Sequence, residues 1–108
     1  MFARISRFKV KPGQLNKLIS YRNSREPELK KLKGLRHIIG LASKDDEYLV
    51  IALYESQAHA EDETTLTLVG DFWFRMSAFT EGRPDVHKYD VSHFQTFPRP
   101  KRPFRNLS

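Results

Sequence analysis

Six segments of this chain change hydrophobic period in the order strand, helix, strand, strand, helix, strand, and few folds accept that order. Phe2 to Val10 is short, rich in β-formers, and stops at Lys11-Pro12-Gly13, where proline and glycine punctuate the chain. From Gln14 the period lengthens. Leu15, Leu18, Ile19, Leu29 and Leu32 fall on one helical stripe, with Arg22 as its polar member. Pro27 has no N–H and disfavours helical geometry at Glu26, so the sequence predicts a kink, or a second short helix carrying Pro27 in its first turn. Lys30, Lys31 and Lys33 suit a helix C-terminus, and Gly34 supplies a stop.

Leu35 to Ala42 reads as a second strand and Glu47 to Glu55 as a third, joined through Lys44-Asp45-Asp46 into a hairpin. His37 alternates with Leu35, Ile39 and Leu41 and is expected on their side. The third strand is apolar on both faces, with Leu49, Ile51 and Leu53 on one and Tyr48, Val50, Ala52 and Tyr54 on the other. Such a strand lies inside a sheet covered twice, once by helices and once by a second subunit. Ser56 is placed to N-cap the next helix, whose stripe runs Ala58, Leu66, Val69, Trp73, Met76 and Phe79. Threonines and Gly70 predict a break near Asp62 to Thr65. Gly82-Arg83-Pro84 reads as the end of that element and Asp85 to Gln95 as the last strand, with His87 and Tyr89 on one face and Val86 and Lys88 on the other.

The β-α-β-β-α-β order predicts an α+β, ferredoxin-like fold with an antiparallel sheet. With 108 residues the chain supports one domain, here residues 1–95, followed by a tail over 96–108. Helices on one side leave the other sheet face bare, so its apolar residues predict a homodimer. No apolar run is long enough for a membrane span, and Arg4, Arg7 and Lys9 interrupt any signal-peptide core. The lack of cysteine excludes disulfide and thiolate chemistry and fits a cytoplasmic protein.

Arg25-Glu26-Pro27, Gly34-Leu35, the step Tyr54-Glu55-Ser56 and the final Lys88-Tyr89-Asp90-Val91 together resemble the antibiotic biosynthesis monooxygenase (ABM) domain family. The resemblance spans residues 2–95 and implies a dimeric α+β barrel, in which each subunit keeps a pocket between its own sheet and helices. It also implies oxidation of a small phenol- or quinol-type aromatic by O₂ with no cofactor, or, as the alternative, a non-catalytic ligand-binding or scaffold dimer. A haem-degrading branch uses an asparagine on strand one with a tryptophan and a histidine on helix two. Here the first asparagine is Asn16, beyond strand one, and helix two offers only His59 at its start, so haem degradation is disfavoured.

Cofactor-free oxygenation needs an apolar pocket, a base for a phenolic proton and a group that holds the anion. Trp73, Phe72 and Met76 are the candidate walls, His37 or His87 the base, and Arg4 or Tyr89 the anion partner. Each has a plainer explanation: an aromatic helix stripe is what an ordinary core shows, and a lone histidine often only completes a hydrogen bond. Arg4 and Ser6 share a strand face with Phe2, Phe8 and Val10, so they are either satisfied in an interface or aimed into a pocket. His87 and His93 lie roughly 20 Å apart along an extended strand, too far to share a metal, so none is expected.

The tail, Phe97-Pro98-Arg99-Pro100-Lys101-Arg102-Pro103-Phe104-Arg105, has four basic residues and no acid. It carries +4 of the net +6, and the rest of the chain holds 15 basic against 13 acidic residues. Its three prolines favour extended chain. A solvated extension is the first expectation, an arm across a partner subunit the second. Nucleic acid is not the expected partner, since this charge supports only sequence-blind, salt-sensitive binding.

Overall fold

Each helical segment is split where its residue types predict. In the computed structural model, which describes residues 1–99, the elements are β1 (Phe2–Val10), α1 (Leu15–Ser24), α2 (Glu26–Leu29), β2 (Leu35–Ala42), β3 (Glu47–Tyr54), α3 (Gln57–Ala60), α4 (Glu63–Met76) and β4 (Thr80–Asp90). Pro27 sits in the first turn of α2, where a missing N–H costs nothing. Ser56 Oγ accepts from His59 N at 3.2 Å and Asp62 Oδ1 from Thr65 N at 2.7 Å, so α3 and α4 have separate caps.

The strands form one antiparallel sheet in the order β2-β3-β1-β4, so the fold is α+β and ferredoxin-like. β1 and β3 are central, with Arg4 opposite both Ala52 and Lys88 and Ile5 opposite both Ile51 and His87. Side-chain alternation then fixes the two faces. Phe2, Arg4, Ser6, Phe8 and Val10 point to the helices with Tyr48, Val50, Ala52 and Tyr54. Ile5, Leu49, Ile51 and Leu53 point away from them.

Three details differ from the sequence reading. β4 starts at Thr80 and stops at Asp90, absorbing Gly82-Arg83-Pro84 instead of starting after them. Arg7 pairs with Asp85 and Lys9 with Glu81, so three β4 residues face Phe8 alone, and Gly82 takes φ +69 in that irregularity. Pro84 is tolerated because β4 is an edge strand whose outer side has no ladder to complete. Second, the register of β2 shifts between Leu35 and His37. Leu35 turns to the helix side beside Ile38, while His37, Ile39 and Leu41 stay on the open face. Third, the break at Asp62 resets the helical phase. The inward face of α4 is Thr65, Leu68, Val69, Phe72, Trp73 and Met76, leaving Leu66 and Ala58 exposed.

The core between sheet and helices is divided. Phe8, Val10, Leu18, Tyr48 and Met76 form one cluster, against which Phe72, Trp73 and Phe79 pack. Phe2, Ala52, Tyr54 and Ala60 form the other with Leu35 and Ile38. On β1 the residues between the clusters are Arg4 and Ser6, and that polar gap is where the cavity lies. The open face carries apolar rows, Ile39–Ile51–Ile5 ending at His87 and Leu41–Leu49 ending at Arg7. After β4 the Val91 N–H donates to Met1 O, and the Phe94 ring reaches the His37 ring at 4.9 Å. Of the tail, residues 100–108 lie outside the described residues.

Candidate functional site

Arg4 is 3% exposed, held in the middle of the sheet by hydrogen bonds on both its neighbours' strands. Its Nη1 donates to Tyr54 Oη at 2.7 Å and its Nη2 to the Ala60 carbonyl. The guanidinium carbon lies 5.1 Å from the Tyr54 ring centroid. The helix break makes this possible, because α3 ends at Ala60 and offers that carbonyl to Arg4 instead of to a further turn. Among the described residues no carboxylate comes within 4.0 Å of Arg4. Glu61, whose carboxylate feels the Arg4 charge, accepts from Gln57 at 2.6 Å and from Lys88 at 3.5 Å. Burial pushes the Tyr54 hydroxyl above the usual phenol range, and Arg4 offsets that only in part, so the hydroxyl keeps its proton.

These groups end a cavity of about 60 Å³ between the sheet and the helices. Phe72, Trp73 and Met76 of α4 wall one side, and Leu29 and Arg22 the other. Val50 and Ala52 form the floor. Arg22 is ion-paired with Glu26 at 2.8 Å, a helical i,i+4 pair. The volume has room for a few waters, whereas roughly 150 Å³ is a size that takes benzene. Admitting an aromatic ring therefore requires the Phe72 and Trp73 side chains to give way.

Arg4, Trp73, Phe72 and Met76 thus meet at one cavity, and His37, His87 and Tyr89 do not reach it. The reason is alternation: Arg4 is level with Lys88, so His87 and Tyr89 fall on the opposite face. His87 Nε2 lies 3.2 Å from Asp85 Oδ1 and its ring stacks on Tyr89 at 6.5 Å, both exposed. His37 pairs with Leu53, an open-face residue, and so lies on that face against Phe94. Tyr54, Arg22 and Ser6 complete the polar lining. Tyr54 shares its parity with Arg4 once β1 is known to pair with β3, a pairing that residue types alone do not specify. Among the described residues no group of three or more His, Cys, Asp or Glu is gathered as for a metal, and no helix is long and apolar enough to cross a membrane.

No known family profile and no curated protein matches the chain. Solved structures do. A Bordetella bronchiseptica protein assigned as an antibiotic biosynthesis monooxygenase superposes with a TM-score of 0.73 at 13% identity, over 85% of this chain and 97% of its own. A monooxygenase from the gene ActVA-Orf6 of Streptomyces coelicolor, in complex with nanaomycin D, gives 0.74 at 17% identity over 91% and 92%. A Nitrosomonas europaea protein of unknown function gives 0.67 at 17% identity over 91% and 95%. At these identities the likeness speaks for architecture, and the helix-covered antiparallel sheet of this chain is the fold of the antibiotic biosynthesis monooxygenases.

Proposed function

We propose that the chain is a cofactor-independent monooxygenase of a small phenol- or quinol-type aromatic, acting as a homodimer in the cytosol. The observation that carries this reading is the buried Arg4–Tyr54 pair, whose donors lie beside an otherwise apolar cavity. Such donors stabilise an oxyanion far more in a dry site than in water. A phenol bound there loses its proton more readily, and a hydrogen-bearing ring carbon ortho or para to the oxygen becomes electron-rich. That carbon reduces O₂ and bonds to it as a peroxide. Cleavage of the O–O bond leaves one oxygen as a ring carbonyl and releases the other as water with the two hydrogens of the original CH₂ tautomer. All electrons come from the substrate. A fold neighbour that is a monooxygenase and holds nanaomycin D supports the reading. In it, His37, His87 and Tyr89 serve the subunit interface on the open face.

Oxygen uptake over a panel of hydroquinones and anthrones tests this. Expected are one O₂ consumed per ketone formed, no hydrogen peroxide released, and loss of the reaction in Arg4→Gln. Uptake no faster than in buffer across the panel, with a folded protein, overturns it. Trp73 gives a second readout: ligand should quench its fluorescence, and Trp73→Phe should weaken binding while costing less than about 1.5 kcal/mol of stability. The competing reading is a non-catalytic ligand-binding dimer. It is favoured by the lining itself, to which no histidine or carboxylate among the described residues contributes as a base. Saturable quenching without oxygen uptake is its signature.

A further inference from the structure

We infer that the ligand of this cavity enters already charged, as an aromatic ring bearing a carboxylate or an acidic phenolate. This rests on the reading that the cavity is the substrate site. The groups around it are unbalanced in both charge and hydrogen-bonding sense. Arg4 and Arg22 line it, while among the described residues no Asp or Glu does. Glu26 neutralises Arg22 at 2.8 Å, whereas Arg4 has no carboxylate within 4.0 Å among the described residues. A buried guanidinium whose partners are only a phenol and a peptide carbonyl is poorly compensated for its lost hydration.

The donors point the same way. A guanidinium has five N–H donors and no acceptor. Arg4 commits two of them in the structure, one to Tyr54 and one to Ala60. Tyr54 Oη accepts from Arg4, so its own hydrogen remains to be given away. Ser6, beside Arg4 on the same strand face, adds a hydroxyl. The few polar atoms at the cavity, on Arg4, Tyr54 and Ser6, can therefore donate, and the rest of the wall is almost wholly apolar. A neutral amide or alcohol leaves the Arg4 charge uncompensated, whereas an anionic oxygen answers the charge and accepts several donors at once. The aromatic part follows from Phe72 and Trp73, which offer ring faces and edges on the α4 side.

Calorimetric titration of the full chain with benzoate, 4-nitrophenolate, benzamide and methyl benzoate at neutral pH separates the possibilities. Benzoate is expected to bind at least about tenfold tighter than its two neutral analogues. Arg4→Gln should abolish that preference. Arg4→Lys, which retains the charge and loses the planar fork, should keep part of it, and Tyr54→Phe should reduce it by weakening benzoate more than benzamide. Arg4→Lys and Tyr54→Phe carry the test if Arg4→Gln does not fold. Between the anions, tighter benzoate assigns a carboxylate, and tighter nitrophenolate assigns the ring oxygen itself. Neutral analogues that bind as tightly as both anions overturn the inference, as does a benzoate affinity unchanged in folded Arg4→Lys and Tyr54→Phe. Oxygen uptake is read separately. Selective anion binding with no uptake sinks the oxygenase reading alone, and turnover of neutral quinols with no anion preference sinks this inference alone.

Discussion

Tyr54 is the residue on which site and stability meet. It is 2% exposed, belongs to one core cluster, and supplies the only side-chain oxygen that Arg4 reaches among the described residues. Tyr54→Phe keeps the ring and leaves a buried N–H without its acceptor, a loss of about 1–3 kcal/mol. Burial also raises the Tyr21 and Tyr48 hydroxyls, as it does Tyr54. Because the folded values stand above the unfolded value of 10.0, the native state binds more protons between the two. The associated stability is complete below pH 10.0 and declines as pH climbs through the raised folded values. Melting temperatures scanned from pH 8 upward should therefore start to fall near the phenol range, and Tyr54→Phe should soften that fall. A flat profile to the highest pH tested contradicts it. Arg4 stood out in the sequence as a charge on an apolar strand face. Its partner did not, because β1–β3 pairing is a long-range fact that only the register reveals.

At the scale of elements, close approach explains what punctuation does not. Gly34 reads in sequence as a helix stop, yet α2 ends at Leu29 and Gly34 is buried just before β2. Its carbonyl accepts from Glu55 N at 2.8 Å, and a Cβ on it would stand 2.2 Å from the Cβ of His59. That atom is near the backbone and has little freedom to retreat. Gly34→Ala should force α3 off the sheet at a cost of about 1–3 kcal/mol, read as a lower denaturant midpoint with unchanged slope. Because α3 also carries the Ala60 carbonyl, the same variant should weaken benzoate binding. Gly82, at φ +69 with open space around it, is a different case: Gly82→Ala should cost about 1–2 kcal/mol through backbone strain alone. The helix breaks at Pro27 and Asp62 were legible because proline geometry and capping act locally. The start of β4 was not, because Gly82 and Pro84 are strand breakers everywhere except at a bulged edge, and edge position belongs to the assembled sheet.

For the whole molecule, the two sheet faces make contrasting predictions. Val50 looks into the helix-covered cluster with Phe8 and Tyr48, while Ile51, one residue on, lies on the open face between Ile39 and Ile5. Ile39 and Leu41 on that face are 42% and 47% exposed, which is the apolar surface the proposed homodimer covers. Ile51→Asp should convert a light-scattering dimer to a monomer that keeps its circular dichroism, and Val50→Asp should unfold the chain. A wild-type monomer at micromolar concentration refutes the assembly. Removal of residues 96–108 should leave the secondary structure intact, since the described part of that stretch, residues 96–99, belongs to no element and Phe94 stays in place over His37. The architecture was readable from the order of periods alone, because burying one stripe per helix and both faces of β3 leaves few arrangements. The chemistry was not, since it depends on which sheet face each histidine meets, and that is set by pairing between strands far apart in the chain.

The bulge in β4 also governs how this protein fails. A sheet recruits foreign strands through an unpaired, regular edge. Here that edge carries Gly82 and Pro84 within an irregular stretch flanked by Glu81, Arg83, Asp85 and Lys88, so an incoming strand meets a missing donor, a kink and alternating charges. Edge-to-edge growth is thereby blocked along β4, which leaves β2 at the opposite edge, exposed and without proline from Leu35 to Ala42, as the strand open to recruitment. Any strand-by-strand growth of the concentrated or partly unfolded molecule is therefore one-sided: a second copy can be added beside Ile38 and Ile39 of β2, and the chain of copies stops wherever it meets a β4 edge.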